Sequence, residues 1–108
     1  MGDDDDTEAG LDWLGGVRPQ RVVLRIGGQE VSGHVATRHP RTFVGPRLVH
    51  RVRHRWDAFM IAGRLGRTAV ADIEIGSTRF TDVDVYYVPS LSADAVLGLE
   101  LVERIAAT

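Results

Sequence analysis

The chain of 108 residues contains no cysteine and no lysine, and none of its apolar runs approaches the roughly twenty residues that a membrane-spanning helix needs. Without thiols there can be no disulfide, no thiolate nucleophile and no cysteine-ligated zinc, and the absence fits a reducing compartment. All thirteen basic residues are arginine. The N-terminus is acidic where a secretory leader would carry a basic region followed by an apolar stretch, so the expectation is a cytoplasmic protein without a membrane partner.

What charge there is lies unevenly. The formal net charge is −2, yet five acidic residues fall in Asp3 to Asp6 and Glu8; the rest of the chain sets ten acids against thirteen arginines and carries +3. Like-charge repulsion and the lack of apolar anchors mark residues 1–10 as a disordered acidic tail. Residues 11–20 read as a linker in which Leu11, Trp13 and Leu14, followed by Gly15-Gly16, form a short apolar segment able to pack on the body or on a partner. Residues 21–108 form the body. Its hydrophobic content, 44% for the whole chain, is that of an ordinary globular protein, and a chain this short supports one modest core that dimerisation would enlarge.

The body alternates apolar and polar residues through Val22 to Ile26, Val31 to Val35, Phe59 to Ile61, Thr68 to Ile75 and Phe80 to Val88. Short strands with glycine punctuation indicate an all-β barrel or sandwich. Gly27-Gly28 between two alternating runs is a hairpin signal, because glycine reaches positive φ without steric cost. Near the end, Ala95-Val96-Leu97 gives a buried strand that breaks at Gly98 into an amphipathic helix, with Leu99, Val102, Ile105 and Ala106 on its apolar side and Glu100, Glu103 and Arg104 outward. Pro89 stops a core strand ending in Tyr86-Tyr87-Val88, and Ser90 to Asp94 reads as a loop.

Between Pro46 and Trp56 the period changes. Leu48, Val49, Val52 and Trp56 recur at helical spacing with Arg47, His50, Arg51 and His54 on the other side, which predicts a short amphipathic helix with a basic face. His50 and His54 stand four apart but lack carboxylate or cysteine partners, so no metal or other cofactor is expected. Arg47, Arg51 and His54 are the candidate anion-binding residues, and they support an alternative in which a small basic barrel binds nucleic acid. A solvated face is the plainer reading, since no aromatic platform is interleaved with the charges. Asp72 with Glu74, and Asp82 with Asp84, alternate along strands and so share a face turned to solvent. Asp57 and Asp94 fall at expected element boundaries.

Taken together, the hairpin, the Val35-Ala36-Thr37-Arg38 turn, the Thr42-Phe43-Val44 strand and the Val96-Leu97-Gly98 start of a helix resemble the retropepsin-like aspartic proteases of retroviral and transposon type, from about Val22 to Ile105. The resemblance implies a small closed acid-protease barrel with one or two short helices, one of them C-terminal. It also implies a homodimer, and a cleft for an extended peptide formed by Ala36, Thr37 and Arg38 and by a flap over Gly63, Arg64, Leu65 and Gly66. That glycine-rich segment is short, so a reduced flap is expected.

The family's first motif is Asp-Thr/Ser-Gly, and here Ala36, Thr37 and Arg38 fall on it. An aspartic protease pairs two carboxylates that share a proton, one activating water and the other donating to the substrate carbonyl. Alanine can do neither. In a symmetric dimer, what one subunit lacks the other lacks too. The resemblance therefore points to a protease fold without catalytic residues, acting as a dimeric peptide-binding or assembly module. The alternative from the enzyme class is an active peptidase whose carboxylate is supplied elsewhere, for instance by a partner chain.

Overall fold

The computed structural model describes residues 17–36 and 38–107, with side chains described from Arg21 onward. The acidic tail, Leu11, Trp13, Leu14 and the cleft candidate Thr37 lie outside the described residues. Seven strands follow in order: β1 (Val17–Ile26), β2 (Gln29–Ala36), β3 (Thr42–Val44), β4 (Arg53–Ile61), β5 (Arg64–Ile75), β6 (Thr78–Tyr87) and β7 (Ala95–Leu97). A C-terminal helix, α1 (Leu99–Ala106), completes the chain. The first strand thus begins at Val17, five residues before the run that alternation marked.

The turn chemistry explains the hairpins. Gly27 and Gly28 both hold positive φ, 56° and 86°, joining β1 to β2 with Ile26 opposite Gln29, the primed-turn geometry that matches strand twist. Gly27 has a second constraint: a Cβ there would overlap the carbonyl of Arg51. Ala62 and Gly63, at φ 50° and 76°, make the corresponding turn between β4 and β5.

Strand order runs β1-β2-β7-β3-β6-β5-β4, and β1 also pairs with β5. Six strands therefore close on themselves through Arg25 opposite Glu74 and Ile26 opposite Ile73, while β4 hangs outside the ring on β5. This is the all-β closed barrel with a C-terminal helix that the sequence implied. The short strands β3 and β7 are buried along their whole length, as expected of strands covered on both faces. Their alternation divides the interior in two. Val44, Ala95 and Leu97 face the main core with Leu24, Ile26, Ile73 and Leu101. Phe43 and Val96 face a smaller cluster with Ala36, Val88, Leu91 and Ala93.

Several sequence readings are corrected here. The helix expected between Pro46 and Trp56 is absent. Pro46–Leu48 forms one 3-10 turn, with i to i+3 hydrogen bonds continuing to Arg51, and β4 starts at Arg53. Leu48 and Val52 are buried as the helical spacing required, but Trp56 is wholly exposed at 101% of its reference area. The reason is a register shift in β4 between His54 and Ala58, which takes Arg55, Trp56 and Asp57 out of the ladder. Asp57 lies inside β4 and not at a boundary. Arg47, His50, Arg51 and His54 consequently share no helix face. In α1 the fully buried residue is Leu101, while Leu99 at 39% and Ala106 are exposed.

The paired acids are outward, as alternation suggested, and one has a structural task. Asp72 accepts hydrogen bonds from the backbone amide of Asp82 at 3.1 Å and from Arg79 and Arg53 at 3.3 and 3.5 Å. Asp82 sits at φ 54° where the β5–β6 register shifts, and the Asp72 carboxylate satisfies the amide that this bulge withdraws from the ladder. The Asp82 amide first, and then Arg79 and Arg53, hold the Asp72 carboxyl below the usual carboxylate range.

Burial separates the two hydrophobic residues of the 46–56 segment. Leu48→Ala should cost about 2–5 kcal/mol, the range for emptying a closed core position, whereas Trp56→Ala should change stability by less than about 0.5 kcal/mol. Urea unfolding of both variants checks this; a large loss at Trp56 would restore the helical reading.

Candidate functional site

The two sequence motifs meet where β2 and β7 run side by side in parallel, His34 opposite Val96 and Val35 opposite Leu97. Ala36 therefore ends its strand beside Gly98, which begins the helix. A threonine locks the junction. The Thr42 hydroxyl, buried, accepts the Gly98 amide at 3.0 Å. The turn after Ala36 then docks on the start of α1: the amides of Leu99 and Glu100 donate to the carbonyls of His39 at 2.8 Å and Pro40 at 3.1 Å. These are amides that a helix leaves without internal partners. Gly98 permits the approach, since a Cβ there would run into the carbonyls of Arg41 and Pro40.

Ala36 is buried at 0% exposure. Its cluster of Phe43, Val88, Leu91, Ala93 and Val96 is entirely apolar, and Phe59, Ile61 and Tyr86 pack against it. Arg38 is exposed, and Pro40 is exposed as well. Three aspartates elsewhere in the described barrel pair with arginines: Asp84 with Arg41 at 3.0 Å and Arg55 at 3.2 Å, Asp94 with Arg47 at 2.8 Å, Asp82 with Arg53 at 2.6 Å.

His39 is a titratable group that adjoins this cluster. Its ring lies edge-on to Phe43, with centroids 4.7 Å apart, and to Tyr86 at 5.8 Å, and its Nδ1 accepts the Arg41 amide at 3.2 Å. An amide donor at Nδ1 leaves the ring proton on Nε2. Burial, above all, pushes the imidazole below its ordinary value. The aromatic chain continues from Tyr86 to Phe59 at 4.2 Å, so the β4–β5 hairpin is tied by stacking to the floor beneath it.

That hairpin is where the flap was expected, and it is longer than the glycine spacing suggested. Its ladder runs from Ala58 opposite Arg67 to Ile61 opposite Arg64. The residues that cover the Ala36 cluster are Phe59 and Ile61 of β4. Of the flap candidates, Gly63 and Arg64 form the tip, where Arg64 donates to Ser90 at 3.2 Å. Leu65 and Gly66 instead line a cavity of about 380 Å³ with His54 and Tyr87. The alternation of β4 could have identified Phe59 and Ile61, had the bulge at Trp56 been foreseen. Among the anion-binding candidates, Arg47 pairs with Asp94, Arg51 donates to Gln29 at 3.3 Å, and His54 bonds the Val49 carbonyl at 2.7 Å. No grouping of three or more histidine, aspartate or glutamate side chains suited to a metal occurs among the described residues.

No protein-family model matches the chain, and no curated protein matches it in sequence. Solved structures do match in shape. The chain is similar to the EIAV protease complexed with an inhibitor, with a TM-score of 0.63 and 9% identity over 82% of this chain and 89% of that one. It is similar to a retropepsin-like aspartic protease from Rickettsia conorii, with a TM-score of 0.60 and 13% identity over 78% and 70%. The retroviral protease-like domain of Ddi1 from Leishmania major gives a TM-score of 0.59 and 14% identity over 78% and 74%. The chain has the retropepsin-like aspartic protease fold. None of its described helices is long and apolar enough to cross a membrane.

Two measurements probe the junction. Thr42→Val removes the acceptor and leaves the Gly98 amide buried and unpaired, so urea unfolding should show a loss of about 1–3 kcal/mol. For His39, a folded pKa below the unfolded 6.5 means that the unfolded chain binds the extra proton. The contribution to stability is full above about pH 6.5 and shrinks as pH falls below it. Asp72 has the same sign, with its contribution present above 3.8 and lost in stronger acid. The unfolding midpoint should fall between pH 7.5 and 5.5, and His39→Phe should flatten that slope; an unchanged slope would remove the assignment.

Proposed function

We propose that this retropepsin-fold domain does not hydrolyse peptide bonds by aspartic chemistry and acts as a homodimeric module that holds an extended peptide. The observation that carries the reading is Ala36, a methyl group enclosed by apolar side chains at the end of β2. A site with neither base nor acid forfeits the roughly 10²- to 10⁴-fold that such groups supply, and here the coupled pair is lost together. Binding needs no carboxylate: backbone groups of a cleft and of a hairpin above it can hold an extended strand by hydrogen bonds. The EIAV protease, a neighbour in fold, is complexed with an inhibitor.

A carboxylate supplied by a partner chain would meet this apolar lining without a second acid to share its proton. The nucleic-acid reading is weakened by the ion pairs, since Arg47, Arg53 and Arg55 of the basic segment each reach an aspartate.

Casein and a peptide library, incubated from pH 3 to pH 8, should show no cleavage above buffer. Turnover blocked by an aspartic-protease inhibitor would overturn the proposal. Sedimentation should find a dimer; a monomer at every concentration would remove the homodimer. Ala36→Asp combined with Arg38→Gly should gain acid-pH cleavage and lose stability at neutral pH, because the new carboxylate enters an apolar cluster. A soluble, dimeric variant that stays inert would show that the cleft has changed as well as the chemistry.

A further inference from the structure

The cavity on the outer side of the β4–β5 hairpin shares no residue with the Ala36 cluster. At about 380 Å³ it falls within the size range of small-molecule sites. It opens where β4 departs from β5. The register shift between His54 and Ala58 takes β4 off the ladder, and on the cavity side of the hairpin Ala58 carries only a methyl group.

The walls combine apolar surface with fixed polar groups. Ala58, Arg67 and Tyr87 stand directly opposite one another on three adjacent strands, so their side chains rise from the same sheet face. The small Ala58 leaves room beside the Arg67 stem. His54 is held from two sides: Nε2 donates to the Val49 carbonyl at 2.7 Å, and its ring meets Tyr87 edge-on at 5.1 Å and 86°.

The charge of the cavity has one sign. Arg67 lines it, and no acidic side chain does. Arg41, Arg47, Arg53, Arg55 and Arg79 each reach a carboxylate, whereas Arg67 makes no ion pair among the described residues. An unneutralised guanidinium at the rim of an apolar, aromatic-walled hollow is complementary to an anion with a flat apolar body, because carboxylate oxygens match its fork of donors.

We propose that this cavity is a binding site for a small aromatic carboxylate, with Arg67 holding the carboxylate and Tyr87, His54 and Leu65 enclosing the ring. Titrating the full chain with 2-naphthoate and, separately, with the neutral 2-naphthamide tests it by amide NMR shifts. Naphthoate should bind and shift His54, Ala58, Leu65 and Tyr87. Arg67→Gln should weaken naphthoate about tenfold, the loss expected for one charge-assisted pair, and naphthamide less than twofold. Ala58→Trp should abolish both by filling the space. Both positions are exposed on the outer hairpin, so the variants should fold, and the NMR spectra report it. No binding at millimolar naphthoate, shifts centred elsewhere, or equal weakening of both probes by Arg67→Gln would overturn the proposal.

Discussion

The hydrogen bond from the Gly98 amide to the buried Thr42 hydroxyl is the constraint on which the arrangement of the barrel depends. It joins two segments that are 56 residues apart in sequence at the point where β2, β3 and β7 come together. Without it, two buried polar groups would lose their partner, and the 38–41 turn would lose its seat on the helix. The missing side chain at Gly98 and the carbonyls of Arg41 and Pro40 act in the same place, one making room and the others occupying it. Such a junction tolerates little change in backbone, whatever the residue at the end of β2 does chemically.

Scaffold and chemistry are therefore separable in this molecule. The contacts that position Ala36 come from Phe43, Val88 and Val96 and from backbone hydrogen bonds around Thr42. None requires a carboxylate at residue 36. A small apolar side chain fills that place without the desolvation that a charged group would suffer among the same neighbours. The acids that remain are recruited into the outer surface, where Asp72 holds a bulge and Asp84 bridges Arg41 and Arg55.

Much of the barrel was legible because its signals were local. Gly27-Gly28 needed positive φ and had it; Thr42 to Val44 and Ala95 to Leu97 were continuous apolar runs and proved buried on both faces; Gly98 broke strand into helix. The segment from Pro46 to Trp56 misled because Leu48 and Val52, four apart, are both buried, which is what a helix would also give. Pairing of Arg53 with Val70 and His54 with Ala69 decided otherwise, a tertiary contact that outweighs helical propensity. The site was half visible. Ala36 and Gly98 could be located by motif, but the covering residues Phe59 and Ile61 could not, because the bulge at Trp56 changes which side of β4 faces inward. The cavity beside Tyr87 was invisible for the same reason.

That irregular stretch has a further consequence for how the molecule behaves at high concentration. β4 lies outside the closed ring and pairs with β5 alone, so it presents an open row of amides and carbonyls that invites another chain to zip alongside. Three residues displaced from the ladder, with Arg53, Arg55 and Asp57 projecting charge around them, spoil the straight template that fibril growth requires. The kink that defeats prediction from sequence thus also interrupts the edge along which another strand would pair.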